Sequence, residues 1–225
     1  MDIKKLIRAF RTDVLMLLVF AGIMLYQGTP LMLVSLKPAV SFQDLLDGKE
    51  VKKGSHVAGD VVYTLDYFAS QSTYTQRSDG SRSGSRKSGN YYLVPTSTGY
   101  IALKSRQADV ETLNRLVDET FEFLSSGTEP TTKFHMEGAV KPLEGNLVNY
   151  YNEYLEELGY TDTEIQEMGD PLVVEFVSFG AVRIFFVIGL VLLALAIFIL
   201  RLRYKKQVRG SGLNRVEDLP DTPAS

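Results

Sequence analysis

His56 and His135 are the two histidines of this chain, and they stand seventy-nine residues apart. A metal site built on them would need the fold to bring both together beside a carboxylate such as Asp60 or Glu137. No H-E-x-x-H segment occurs. With no cysteine, the chain has no thiolate ligand, no cysteine nucleophile and no disulfide framework. Seven carboxylates, Glu153, Glu156, Glu157, Asp162, Glu164, Glu167 and Asp170, crowd late in the polar middle. Two of them at a suitable separation would serve acid–base hydrolysis, whereas a solvated acidic face needs no such geometry. Their spacing matches no EF-hand loop.

Residues 71–89 are rich in Ser, Gly and Arg and hold no aliphatic side chain. The stretch lacks the G-x-x-x-x-G-K-[ST] pattern of a phosphate loop, and Arg82 stands where a nucleophile elbow requires serine. Its composition predicts a flexible loop. Arg77, Arg82, Arg86 and Lys87 against Asp79 give it net +3, suited to anionic headgroups or the acidic face of a partner. Tyr150, Tyr151 and Tyr154 fall at helical spacing with Leu155 and Leu158. On an inner helix they are core; on a peripheral one they form an aromatic contact surface, and they are the candidate partner-contact residues.

The elements that must position these groups begin with two apolar runs. Residues 184–200 carry no polar side chain, and at 1.5 Å per residue they span roughly 25 Å. Arg201, Arg203, Lys205, Lys206 and Arg209 follow at once, as at the cytoplasmic end of a membrane helix. The first run, 14–26, is preceded by Lys4, Lys5, Arg8 and Arg11. Pro30 predicts that this helix ends near residues 27–30, with 31–36 at the outer interface. A cleavable signal peptide is the rival reading, but no A-x-A-like site follows the apolar stretch.

Charge supports two crossings. Residues 1–36 carry four basic side chains against two acids (+2), residues 184–225 six against three (+3), and residues 37–183 fourteen against twenty-two (−8). Basic residues beside membrane helices stay inside. The expected organisation is a cytoplasmic N-terminus (1–12), a first membrane helix (13–35), an extracytoplasmic domain (38–178) with its loop at 71–89, a second membrane helix (180–200) and a cytoplasmic tail (201–225). The tail's polar, Pro-containing end predicts no folded effector module there.

Within the middle, Ser41 opens a short helix stopped by Gly48, and 57–68 alternates as one long strand. Residues 91–94 and 100–104 read as strands paired around Pro95–Gly99. A helix at 109–124 ends at Gly127, 134–140 alternates again, and a second helix at 147–158 is closed by Gly159. Thr161 with Glu164 is a capping-box pattern, and 173–177 is a last strand. The domain is therefore α+β. Gly59 and Gly138 inside strands suit the tight bends of a small OB-like barrel.

The ordered set Tyr91-Tyr92-Leu93-Val94-Pro95, Gly99-Tyr100-Ile101-Ala102-Leu103, Met136-Glu137-Gly138-Ala139-Val140-Lys141-Pro142-Leu143 and residues 173–177 resembles a family of uncharacterised two-span membrane proteins of Firmicute-type bacteria, over most of the chain. The resemblance implies a bacterial cell membrane and supplies no activity or site residues. The residues themselves favour a non-enzymatic interaction or accessory module whose partners are the bilayer and another membrane or envelope protein, with no cofactor and no nucleic acid. The alternative is a membrane-anchored envelope hydrolase using the clustered carboxylates and His135.

Overall fold

Three consecutive apolar stretches, around residues 91–94, 101–103 and 173–174, are buried on both sides, the pattern of strands at the centre of a sheet covered on two faces. The computed structural model describes residues 12–76 and 78–213. They form two compact units, the domain Leu33–Phe179 and a unit of apolar helices that brackets it in sequence.

The domain follows the first long helix, α1 (Thr12–Ser35), and opens on a short helix, α2 (Phe42–Leu46). Ser41 caps α2 reciprocally: its hydroxyl accepts from Asp44 N and its own N–H donates to the Asp44 carboxylate, both at 3.0 Å. Then come β1 (His56–Val61), β2 (Leu65–Thr73), β3 (Arg86–Thr96), β4 (Gly99–Lys104), the helix α3 (Val110–Ser126), β5 (Phe134–Pro142), the helices α4 (Asn146–Glu157) and α5 (Asp162–Glu167), and β6 (Leu172–Phe176). Gly127, at φ 76°, ends α3 in the left-handed conformation that glycine adopts without strain. Glu119 on α3 accepts from both the N–H and the hydroxyl of Thr131 and Thr132, which fastens the turn before β5.

The six strands form one open mixed sheet in the order β1-β5-β6-β4-β3-β2. Only β4 and β6 run parallel; every other neighbouring pair is antiparallel. Helices α2 and α3 cover one face, where Phe42, Leu45, Leu113 and Leu116 meet Tyr92, Ile101, Val140 and Val174. Helices α4 and α5 cover part of the other, where Tyr151, Leu155 and Ile165 meet Tyr91, Leu93, Ala102 and Val173. Both edges are blunted. Val40 caps the outer edge of β1, its N–H donating to His56 O at 2.9 Å and its carbonyl accepting from Ala58 N at 3.0 Å, and β2 breaks register three times.

Several expectations change. The sheet is not a closed barrel: β1 and β2 are its opposite edges and do not pair. The strand glycine Gly138 serves close approach instead, since a side chain there would strike the backbone carbonyl of Glu175. The single strand expected at 57–68 is two strands on opposite edges. Alternation continues across the break because Leu65 enters the second core, and between them Thr64 is buried, its N–H bonded to the Thr120 hydroxyl and its own hydroxyl to Leu93 O. Pairing also reaches into 71–89, with Gln71 opposite Gly89, Ser72 opposite Lys87 and Thr73 opposite Arg86.

In the other unit, α1 runs unbroken through Pro30, past the end expected near 27–30. Proline removes one N–H from the helical ladder, and the Thr29 hydroxyl donates to Leu25 O at 2.5 Å in the same turn. The last helix, α6, is Phe179–Leu213. Both helices are long and apolar enough to cross a membrane, and only 17% and 11% of their apolar windows is buried, unlike the core helix of a soluble domain. They pack antiparallel along small residues at sevenfold spacing: Val14, Ala21 and Gly28 on α1, Gly189 and Ala196 on α6. Arg203, seven residues after Ala196, donates twice to the Asp13 carboxylate at 3.0 and 2.5 Å.

Gly138→Ala should cost about 2 kcal/mol or more in thermal unfolding of the detergent-solubilised chain, because backbone rather than a movable side chain stands in the way.

Candidate functional site

Strand alternation places His56 and Asp60 of β1, His135, Glu137, Ala139 and Lys141 of β5, Glu175 of β6 and Lys104 of β4 on the same sheet face as Tyr91, beyond the apolar part covered by α4 and α5. The register sets a row straight across five strands: His56, Ala139, Glu175, Lys104 and Tyr91. Its centre is ionic. Glu175 accepts from Lys104 Nζ at 2.9 Å and, through its other oxygen, from Lys141 Nζ at 2.5 Å. Burial raises the Glu175 pKa, but the hydrogen bonds and charges of the two lysines outweigh it and hold the carboxyl below the usual range. Burial lowers that of Lys104, but Glu175 and Tyr91 more than offset it and keep the ammonium charged. A raised lysine pKa is the opposite of what a nucleophilic or general-base lysine requires.

Two open cavities flank this carboxylate. One, of about 430 Å³, is lined by Lys53, Tyr91, Lys141, Leu147 and Glu175; the other, of about 180 Å³, by Gln71, Lys104, Arg106 and Phe176. Arg106 lies over the Phe176 ring at 4.1 Å and is held by Asp109.

The histidines end up four residues apart in register, on the same sheet face but with separate partners. His56 is buried between the Lys37 carbonyl on Nδ1 and Glu137 on Nε2, each at 3.3 Å, with the Phe179 ring edge-on at 4.4 Å. His135 is exposed and meets Asp60 at 3.0 Å. Among the described residues, no three His, Cys, Asp or Glu side chains converge in a way that would hold a metal ion. All seven carboxylates of the late acidic cluster point outward, and Glu164 closes the capping box with Thr161.

The three tyrosines of the expected contact surface separate. Tyr151 lies in the core, only 3% exposed, and donates to Tyr100 O at 2.9 Å; burial pushes its hydroxyl above the ordinary tyrosine range. Tyr154 is half-buried against the same cluster. Tyr150, 47% exposed, faces outward. Burial raises the Tyr154 hydroxyl, with further contributions from Asp66 and Glu157, and α4 packs against β2. Next along β2, Tyr67 is also exposed and packs edge-on to Tyr92 at 5.9 Å. In sequence Tyr67 is one more alternating position of the 57–68 run, and nothing there separates it from the residues of the opposite edge.

Of the residues expected to set orientation, Lys4, Lys5, Arg8 and Arg11 lie outside the described residues, as does the side chain of Arg209. Arg201, Lys205 and Lys206 are exposed, and Arg203 pairs with Asp13.

Nearly the whole of this two-helix, α+β arrangement, residues 3–204, matches the family described as Domain of unknown function (DUF8577). The chain belongs to that family. No curated protein and no solved structure matches it. The DUF8577 description names no reaction.

Glu175→Gln should lower the stability of the solubilised chain by about 1–3 kcal/mol at pH 7, since it leaves two ammonium groups with a neutral partner. Because the folded pKa is depressed, this stabilisation is complete above the unfolded carboxyl value near 4.3 and fades as pH falls through the lower folded value. Parallel denaturant titrations of both proteins from pH 7 downward should therefore converge at the acid end.

Proposed function

We propose that this chain is a membrane-anchored interaction module: α1 and α6 hold the α+β domain at a bacterial cell membrane, with both termini cytoplasmic and residues 38–178 outside. The observation that carries the reading is the pair of long apolar helices, exposed along most of their apolar surface, that bracket a domain with its own two-sided core. Charge supports the orientation, with ends of +2 and +3 and a middle of −8. The partner is another membrane or envelope protein, met at Tyr150 and Tyr154 of α4. Tyr150 is exposed, and exposed tyrosine is the composition that contact surfaces favour.

Topology is testable on the natural cysteine-free background. Ser85 and Ser125 are both exposed. Cysteines placed there should react with an impermeant maleimide in intact cells, and one at position 211 only after lysis. Labelling at 211 in intact cells would reverse the orientation, and loss of residues 1–30 from the mature protein would replace α1 by a signal peptide.

The partner reading predicts that a mild-detergent pull-down recovers a recurrent protein and that Tyr150→Ala reduces its recovery roughly tenfold, the loss of an interface hot spot. Thermal unfolding should stay within about 0.5 kcal/mol of the parent, as expected at an exposed position. Repeated recovery of no partner sinks the module reading.

A further inference from the structure

Residues 71–89 are a built arm rather than slack chain. Beyond the last paired strand residues, Thr73 and Arg86, the two sides stay joined by a bridge between Gln76 and Arg82. Ser83 N donates to Thr75 O at 2.9 Å, and Thr75 N donates to the Ser83 hydroxyl at 2.8 Å. The tip turns at Gly80, φ 83°, where the Asp79 carboxylate accepts from Ser81 N and its hydroxyl. Arg82 lies 4.6 Å from the centre of the exposed Tyr74 ring.

The arm's charge is opposite to that of the body that carries it. It holds net +3 inside a middle of −8, which leaves −11 for the rest. Arg82, Arg86 and Lys87 are exposed, and among the described residues none of them has a carboxylate partner. The arm has no aliphatic residue to bury in a core or an acyl layer, and Tyr74 is its one aromatic side chain. Tyrosine beside arginine is the chemistry of the headgroup zone.

Strand direction sets where the arm leaves the sheet. β4 runs parallel to β6 and β3 antiparallel to β4, with Tyr91 opposite Lys104 and Lys104 opposite Glu175. The arm therefore leaves the end of the sheet at which β6 runs out, and only Val177 and Ser178 separate Phe176 from the first residue of α6.

We infer that this hairpin is a peripheral membrane contact, a basic arm that lies on anionic phospholipid headgroups. The inference rests on the membrane-anchored reading above. A lipid surface is favoured over an acidic protein because the anchor keeps lipid at high effective concentration beside the arm, so a few charges suffice. The acidic remainder of the domain is repelled by the same surface, which leaves the arm as the part that touches it.

The test uses the full chain in nanodiscs of phosphatidylcholine, or of phosphatidylcholine with about 30% phosphatidylglycerol, which gives the surface the negative potential that attracts basic segments. Trypsin cleavage after Arg82, Arg86 and Lys87 is measured relative to cleavage after exposed Lys49, Lys52 and Lys53. The ratio should fall about fivefold in anionic discs and recover in about 0.5 M salt, where surface charges are screened. In the triple variant Arg82→Ser, Arg86→Ser, Lys87→Ser, chymotrypsin cleavage after Tyr74 should be equal in both discs, while in the parent it is slower in anionic ones. Equal ratios for the parent in both discs overturn the inference. Protection by soluble polyglutamate but not by anionic lipid assigns the arm to an acidic protein and overturns it as well. A chain that does not co-elute with either disc overturns the anchoring reading, and the inference with it.

Discussion

The short strand β6 sits between β4 and β5, and the sheet has no continuity without it. Its five residues complete two ladders at once, parallel to β4 and antiparallel to β5. Val174 enters one core and Val173 the other, so both apolar clusters are finished by adjacent side chains of the same strand. Everything from β1 to β5 is made before this strand exists, in two halves that share no ladder: β1 with β5, and β2 with β3 and β4. Loop-closure entropy opposes these distant pairings, and the contacts that β6 completes on both flanks offset it.

Glu175 is the polar counterpart of that constraint. It lies on an interior strand, where an unpaired carboxylate would be costly, and it is satisfied by lysines on the two neighbouring strands. The ion triad thus rewards the correct neighbours on both sides: a strand paired on only one side would leave the carboxylate and one ammonium short of partners. Gly138 acts in the same place by a different means, letting the β5 backbone approach the Glu175 carbonyl.

Local features were legible in the sequence because their causes are local. The Ser41 cap, the Gly127 stop and the Thr161–Glu164 box each depend on residues within a turn of one another, and each stands where its pattern places it. The two apolar helices and the hairpin around Pro95–Gly99 were legible for the same reason. What alternation does not carry is partnership. Residues 57–68 alternate without interruption although the chain changes sheet edge in the middle of them. Lys104, Lys141 and Glu175 are ordinary charges in sequence, 71 and 34 residues from pair to pair, and the one signal was a carboxylate interrupting an apolar strand. Tyr150 and Tyr151 are neighbours that a helix turns about 100° apart, and only the position of α4 on the sheet decides which one is core. Pro30 misled because a proline in an apolar helix costs a single hydrogen bond, which the rest of a long helix tolerates.

The two attachments of the domain to its helices differ in mechanical strength. On the N-terminal side the chain enters through Val40, joined to the edge of β1 by two backbone hydrogen bonds. On the C-terminal side it leaves directly from β6, gripped by ladders on both flanks. Freeing the entry breaks two backbone hydrogen bonds, whereas freeing β6 breaks two ladders and withdraws Val173 and Val174 from both cores.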